Sequence, residues 1–257
     1  MKISVISDLH IDVNDNYQYL LNKLKNVDNT DVLIIAGDLS AFSYKKRNKF
    51  IDKVLLSQWK NVLLVPGNHE FYYQQVEEDK RLIHCHERYM HNGNLLYTLN
   101  NSSSVLKNSN VKFIFSTLWS NIERNVFSIL MGLNDYRQIK GFDVAKNNQL
   151  HGMSVDFIKN ELENTKDDED VIIVSHHLPL YELIDTTYVN NILNEAYATN
   201  LFDSIIDKYS NKIKYWISGH SHSECYKEVV GVKFIRKPIG YFPEEKSNSC
   251  IPLTIEV

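Results

Sequence analysis

Five short clusters of metal-ligating and acid–base side chains are spaced along the chain, and each follows a short apolar segment. In chain order they are Asp8-Leu9-His10, Gly37-Asp38, Gly67-Asn68-His69-Glu70, His176-His177 and Gly219-His220-Ser221-His222. Carboxylate oxygens, amide oxygens and imidazole nitrogens are ligands for first-row divalent cations, and no cluster contains a cysteine thiolate. The clusters therefore predict a metal site built from oxygen and nitrogen ligands.

The number of candidate ligands predicts two ions rather than one. A closed tetrahedral site takes four ligands, whereas seven side chains are candidates here: Asp8, His10, Asp38, Asn68, His176, His220 and His222. Two ions that share one carboxylate would use all seven and keep open positions for water and substrate. Two neighbouring cations lower the pKa of bound water, which predicts hydrolytic chemistry.

The elements that must position these clusters are short apolar strands. Strands are predicted over 3–6, 32–36, 62–65, 171–174 and 215–218, immediately before the clusters, and another over 111–117. Helical spacing at 17–26 and 47–58 predicts crossovers between parallel strands. Parallel strands end at a common edge, so the clusters are expected to meet there. In an extended segment, the two-residue spacing of Asp8-x-His10 and His220-x-His222 would place both members on one face.

The remaining segments predict three more helices and a hairpin. The helices are expected over 72–89, 145–163 and 200–209, and the tight hairpin over 229–235. On the first of these helices, His84 and His86 would diverge by about 200° and could not easily share an ion. A solvated helix face is the expectation for them.

The order of the five clusters resembles that of the calcineurin-like metallophosphoesterases. This superfamily includes purple acid phosphatases, serine/threonine protein phosphatases, phosphodiesterases and some nucleases. The resemblance spans residues 8 to 222, and Gly-Asn-His-Glu at 67–70 is specific by itself. It implies a four-layered α/β/β/α sandwich with two mixed β-sheets, and we expect a single domain over 1–257.

The resemblance also implies a role for each side chain. The first metal would be held by Asp8, His10 and His222, the second by Asn68, His176 and His220, with Asp38 as the bridge. His69 would contact the phosphate and protonate or stabilise the leaving group. The implied activity is hydrolysis of a phosphodiester or phosphomonoester by metal-activated hydroxide, with two divalent ions such as manganese, iron or zinc. The alternative is a non-catalytic interaction scaffold on the same fold.

The chain departs from the protein phosphatases of this superfamily after the bridging aspartate. Those enzymes carry aspartate and arginine where this chain has Ala41 and Phe42. A phosphodiesterase is therefore favoured over a protein phosphatase. Asn134-Asp135-Tyr136-Arg137 resembles a segment of small bacterial and viral-type members, and Arg137 is a candidate for the missing phosphate-binding arginine. His177 is a candidate for a role at the substrate edge or in support of a ligand.

Three sequence features near the clusters have structural interpretations as well as functional ones. Glu70 is expected to fix the loop geometry through hydrogen bonds. The aromatic run 71–73 is expected to pack a helix start, although it could stack a nucleobase. Lys45-Lys46-Arg47 predicts a solvent-exposed helix start. These side chains could also attract a polyanion near the predicted metal site.

The composition of the chain favours certain substrates and a certain cellular compartment. The formal net charge is −4, so no basic surplus indicates nucleic acid, and a small-molecule or nucleotide phosphate ester is the expected substrate. Cys85, Cys225 and Cys250 are widely spaced and odd in number, which favours a reducing compartment. No stretch has the length of a membrane span, and residues 1–6 leave no room for a secretion signal before the first cluster. We therefore expect a cytoplasmic enzyme; the oligomeric state is open.

Overall fold

The computed structural model describes residues 1–13, 16–75, 80–105, 109–242 and 250–257. The strands are β1 (Lys2–Ile6), β2 (Val32–Ala36), β3 (Asn61–Val65), β4 (Cys85–His91), β5 (Asn94–Asn100), β6 (Ser102–Val105), β7 (Val111–Ser116), β8 (Asp170–Ser175), β9 (Ile213–Ile217), β10 (Cys225–Val229), β11 (Val232–Arg236) and β12 (Leu253–Glu256). The α-helices are α1 (Asn16–Lys23), α2 (Arg47–Phe50), α3 (Val126–Gly132), α4 (Asp135–Gln138) and α5 (Val144–Glu163). Turns of π-helix cover Ile51–Leu55 and Phe202–Ile206.

The strands form two mixed six-stranded sheets. The first has the order β12-β1-β2-β3-β5-β4, and the second has the order β10-β11-β9-β8-β7-β6. Neighbouring strands β1, β2 and β3 are parallel, as are β7, β8 and β9. Since β5 is also parallel to β3, and β11 to β9, each sheet has a block of four parallel strands at its centre and one antiparallel strand at each edge.

Three apolar clusters hold the layers together. Side chains such as Ile34 of β2 and Ile172 of β8 meet between the sheets and form the central layer of the core. The outer face of the first sheet packs against α1 and α2, and that of the second packs against α5. The central strands are buried on both faces, which explains why they appear in the sequence as continuous apolar runs. The predicted four-layered α/β/β/α sandwich with two mixed sheets is confirmed.

Most of the predicted elements are present. α5 begins at Val144, and the Asp143 side chain accepts a hydrogen bond from the Lys146 amide at 2.7 Å, as an N-terminal cap does. The predicted hairpin is the β10–β11 pair, in which Val229 lies opposite Val232. Among the described residues, no helix combines the length and the apolar character that a membrane crossing requires.

The helix predicted over 72–89 is wrong. Residues 76–79 lie outside the described residues, Lys80–Leu82 form a turn of 3-10 helix, and the next residues form β4. β4 pairs antiparallel with β5 through a two-residue turn at Asn92 and Gly93, whose φ values are 49° and 84°. Asn-Gly is a strong hairpin signal. The edge strand β4 is mostly exposed, so it lacks the apolar alternation by which strands are recognised.

Because this segment is a strand, two histidines have surroundings different from those predicted. His84 lies just before β4 and His86 lies within it, so they are not on a helix. Nδ1 of His84 is 2.9 Å from the carbonyl oxygen of Asn101, and Nδ1 of His86 is 3.0 Å from the Ser102 hydroxyl. Neither belongs to a group of potential metal ligands in the described part of the chain. The helix predicted over 200–209 is shorter than expected, because the structure has only a π-helical turn over Phe202–Ile206.

Candidate metal centre

The five sequence clusters meet where the central strands of both sheets end. Asp8 and His10 follow β1, Asp38 follows β2, and Asn68 follows β3 in the first sheet; the histidines 176, 220 and 222 follow β8 and β9 in the second. Three groups have potential ligand atoms within 4.8 Å of one another. They are Asp8, His10 and His222; His10, Asp38 and His69; and Asp38, His176 and His220. The structure thus brings together residues separated by more than 200 positions.

Asp38 lies between two sets of nitrogen atoms. Its Oδ2 is 3.7 Å from His10 Nε2 and 3.4 Å from His176 Nε2. On one side, His10 Nε2 is 2.9 Å from His222 Nε2. On the other side, His176 Nε2 is 3.0 Å from Asn68 Oδ1. A single carboxylate therefore faces both of the ligand sets that the sequence predicts.

The backbone of this site is strained at most of the candidate ligands. Five of the seven have left-handed φ values: Asp8 (55°), His10 (44°), Asp38 (59°), His220 (70°) and His222 (28°). Such values are uncommon for residues other than glycine, and they cluster at functional sites. The expectation that each two-residue pair converges through an extended segment is wrong. The pairs converge because the chain turns sharply at both members.

Glycine lets the backbone pass close beneath the ligands. A β-carbon at Gly37, whose φ is 87°, would lie 2.0 Å from His176 Nδ1. A β-carbon at Gly67 would lie 2.1 Å from Asp38 Oδ1. Any side chain at either position would displace a candidate ligand, since real β-carbons do not approach heavy atoms so closely.

Glu70 ties the two ligand loops of the first sheet together. Its fully buried carboxylate accepts hydrogen bonds from the amides of Asp38 (2.9 Å), Leu39 (2.8 Å), Ser40 (3.1 Å) and Gly67 (2.6 Å). Burial, followed by the nearby charge of Asp38, raises the pKa of Glu70 to about 7. The predicted role of Glu70 in loop geometry has direct support from these four contacts.

We expect Glu70→Ala to destabilise the protein by about 3 kcal/mol or more, because it leaves four buried amide groups without an acceptor. Urea unfolding at constant metal concentration measures this effect. Glu228→Ala, at an exposed position of β10, is the matched control and should stay within about 0.5 kcal/mol of the natural protein. Equal unfolding midpoints for the two variants would contradict the role given to Glu70.

Asp135 is a member of the site that sequence reasoning missed. Its buried Oδ1 accepts hydrogen bonds from Asn68 Nδ2 and from the Tyr72 hydroxyl, each at 2.7 Å. Because Asn68 Nδ2 is held by Asp135, Asn68 Oδ1 must face His176. Burial raises the pKa of Asp135, and these two donors oppose the shift. Asp135 therefore sets which end of the Asn68 amide points into the centre.

An ion fits between the atoms that face one another here. The Ala36 carbonyl, 2.9 Å from His176 Nδ1, can only accept, so this nitrogen carries the hydrogen and Nε2 is left as an acceptor. His176 Nε2 and Asn68 Oδ1 are then two acceptors 3.0 Å apart, which require a cation or a proton between them. Buried His10 Nδ1 and His220 Nε2 also have no hydrogen-bond partner among the described residues. The donor set thus fits divalent cations.

The site's electrostatics agree with this chemistry. Burial, and then the charge of His69, holds the pKa of His10 well below its usual value, and burial does the same for His220. Both imidazoles are therefore neutral, the form that binds metals. Burial also lowers the pKa of His176, but the Asp38 carboxylate outweighs it and raises that pKa to about 9, so that a proton on Nε2 stands in for the cation between His176 and Asn68. Burial opposes ionisation of Asp38, yet the surrounding histidines keep its pKa well below the usual range.

We expect Asp135→Ala to weaken metal binding by about 10–100-fold, because the Asn68 amide loses the acceptor that orients it. Competition with a chromophoric chelator measures this affinity without reference to turnover. Tyr72→Phe is the matched control, since it removes the second hydrogen bond to Asp135 and leaves Asn68 held; its effect should be smaller. An unchanged affinity in a folded Asp135→Ala protein would contradict the role.

His69 lies beside the ligands and is held by two tyrosines. Its ring stacks on Tyr72 at 4.2 Å between centroids, and its Nε2 is 3.3 Å from the Tyr241 hydroxyl. Its amide donates to Asp38 Oδ1 at 3.0 Å. Ala41 stands where the protein phosphatases carry a carboxylate, and its amide donates to the Asp12 side chain at 2.9 Å. Gly240-Tyr241 is part of the family resemblance, but the contact of Tyr241 with His69, 172 positions away, was not predicted.

The two remaining candidates lie away from the open part of the site. The guanidinium of Arg137 donates a hydrogen bond to the Met131 carbonyl. Two cavities lie beside the candidate metal centre, and Arg137 is not among the described residues that line them. His177 is buried, with its ring 4.2 Å from that of His220 and its Nδ1 3.3 Å from the Thr117 carbonyl. This position suits support of His220 better than contact with substrate. Both roles stay predictions.

Comparison with known proteins adds family and fold. The model of the calcineurin-like phosphoesterases matches residues 1–224. A mimivirus protein, "Uncharacterized protein L509" of Acanthamoeba polyphaga mimivirus, is 27% identical over 271 residues, which cover 95% of this chain and 92% of that protein.

A mycobacterial enzyme of known structure has the same architecture. The phosphopantetheinyl hydrolase of Mycobacterium tuberculosis superposes with a TM-score of 0.69 at 15% identity, covering 98% of this chain and 95% of that one. A putative 5′-nucleotidase from Staphylococcus aureus has a TM-score of 0.49 at 14% identity and covers 91% of this chain and 48% of its own. The mycobacterial likeness shows the fold alone.

Proposed function

The chain belongs to the calcineurin-like phosphoesterase family, and we propose that it hydrolyses a phosphodiester at a binuclear metal centre. Family and fold support a metal-dependent phosphoric ester hydrolase in general. The observation that carries the finer proposal is Asp38, whose carboxylate faces two separate sets of potential ligands. A single-ion site would leave one of these sets without a cation.

When bound, two cations would supply a water of lowered pKa and positive charge for the phosphate oxygens. The chain's own residues would hold the ions and a proton. Asp8, His10 and His222 would hold one ion, and Asn68, His176 and His220 the other. Asp38 would fix their separation. His69, stacked on Tyr72 and next to the Tyr241 hydroxyl, would hold a proton for the departing oxygen.

The residues at positions 41 and 42 support a diester over a phosphoprotein. Ala41 and Phe42 replace the aspartate and arginine of the family's protein phosphatases, and Phe42 lies beneath the guanidinium of Arg81, 3.8 Å from its ring centroid. At position 42 the chain therefore carries an aromatic ring in place of the arginine of those enzymes, although the guanidinium groups of Arg81 and Arg47 lie over this ring. The net charge of −4 favours a small phosphate ester over nucleic acid.

A substrate comparison tests the proposal. Turnover of bis-p-nitrophenyl phosphate and p-nitrophenyl phosphate is measured with added manganese, before and after chelation, and oligonucleotides are tested next. We expect metal-dependent hydrolysis with the higher kcat/KM for the diester. A preference for the monoester would contradict the diester proposal. Two bound metals by elemental analysis without hydrolysis of any ester would favour the interaction scaffold instead.

A further inference from the structure

Two cavities open from the candidate metal centre and share one wall. The first has a volume of about 400 Å³ and reaches Asp38, Asn68, His220 and His222. The second has a volume of about 670 Å³ and extends towards the start of α2. Both are lined by His69, Tyr72, Asn134 and Tyr241. A phosphate held at the metal edge beside His69 would therefore have room for a substituent on each side.

Beyond Asp38, Asp135 and the candidate histidine ligands, the wall of the first cavity is uncharged. Its outer wall combines apolar and aromatic groups with amides: Leu133, Asn134, Ile184, Tyr188, Asn191, Leu193, Asn194 and Tyr197. No lysine or arginine occurs among the described residues that line it. Aromatic faces and amides suit a neutral organic group, whereas a second anion there would meet no basic side chain. We call this cavity the neutral arm.

The second cavity carries positive charge. Lys45 and Lys46 line it with exposed side chains, together with polar groups such as Ser43 and Gln138. One carboxylate, that of Asp12, also lines it, and its Oδ2 is engaged by the Ala41 amide. Among the described residues that line it, two ammonium groups stand against one carboxylate, a net positive charge that would attract an anion. We call this cavity the lysine arm.

We infer that the substrate is an unsymmetrical phosphodiester. One ester group would be uncharged and occupy the neutral arm, and the other would carry an additional anionic group that reaches the lysine arm. The inference rests on the proposed diesterase function, which it makes more specific. The wall that the two cavities share fits such a substrate. His69 would lie next to the reacting phosphate, and the other shared residues, Tyr72, Asn134 and Tyr241, are uncharged.

A matched pair of chromogenic substrates tests the charge preference. Thymidine 5′-(p-nitrophenyl phosphate) and its 3′-phosphorylated form share the scissile diester and differ by one distant phosphate. We expect the natural protein to prefer the phosphorylated form through a lower KM, by about five- to tenfold. This preference should decline as sodium chloride rises from 0.05 to 0.5 M, because salt screens exposed charges.

The double variant Lys45→Ala/Lys46→Ala should lose the preference, so that KM is the same for the two substrates. Lys49→Ala/Lys53→Ala is the control, since these lysines are exposed on the following turns and line neither cavity. Tyr188→Ala, at a side chain 54% exposed on the neutral arm, should raise KM for both substrates equally. Tyr226→Ala, 70% exposed on β10, is its control.

The outcomes separate this inference from the proposed function. Hydrolysis of both substrates without a preference for the phosphate, or a preference that survives the double lysine variant, would overturn the unsymmetrical substrate alone. Failure of the natural protein to release p-nitrophenolate from either diester would overturn the diesterase proposal and this inference with it. Binding of thymidine 3′,5′-bisphosphate and thymidine 5′-phosphate by calorimetry gives the same charge comparison without turnover.

Discussion

Replacement of Asp38 by alanine is expected to abolish metal-dependent hydrolysis and to deplete both ions. Its Oδ2 faces nitrogen atoms of both ligand sets, at 3.7 Å and 3.4 Å. Its loss would therefore remove a ligand from both ions, together with the negative charge that offsets their mutual repulsion. His220→Ala removes a ligand from one set only and should deplete one ion. Elemental analysis after dialysis, with turnover measured in parallel, distinguishes these results.

Asp203→Ala, at an exposed position of the π-helical turn Phe202–Ile206, is the matched control for Asp38. It should bind two metals and turn over substrate like the natural protein. Asp38→Ala protein that retains both ions after dialysis would show that Asp38 is not a bridge. Retained activity in the chelator-treated variant would remove the metal-dependent mechanism altogether.

Replacement of His69 by alanine is expected to lower kcat by about 10²–10⁴-fold while both metals stay bound. His69 lies within 4.8 Å, by its ligand atoms, of His10 and Asp38, so geometry alone would also allow it to be a ligand. Its ring stacks on Tyr72 and its Nε2 is 3.3 Å from the Tyr241 hydroxyl, which suits a proton held towards an open cavity. Metal content separates the two roles.

The dependence on the leaving group sharpens this test. p-Nitrophenolate departs readily without a proton, whereas an alkyl alkoxide requires one, so the loss in His69→Ala should be smaller for the nitrophenyl diester. His91→Ala, in β4 and paired with Asp52 at 3.4 Å, is the histidine control and should leave kcat unchanged. Loss of an ion from His69→Ala would make His69 a ligand and contradict its assignment as the proton donor.

The local sequence was sufficient to predict the central strands and the convergence of their loops. β2 and β8 are buried on both faces, so continuous apolar runs marked them, and the clusters that follow them meet as parallel strand ends require. The route of the backbone was not predictable in the same way. The left-handed φ values at Asp8 and His220 depend on close packing of loops from two sheets.

Residues that act through distant partners were the ones that the sequence did not reveal. Asp135 is 67 positions from Asn68, and its role depends on a buried contact that no local pattern announces. The β4–β5 hairpin was missed for another reason, since an exposed edge strand carries little apolar signal and the Asn92-Gly93 turn was the only strong one.

Anomalous-scattering crystallography across the manganese, iron and zinc absorption edges, with phosphate added, tests the central claim most directly. The account predicts two anomalous peaks about 3.5–4 Å apart, one on each side of the Asp38 carboxylate, with phosphate oxygens at both and His69 beside the phosphate. A single peak bound by only one of the two ligand sets, or two peaks that do not share Asp38, would contradict it.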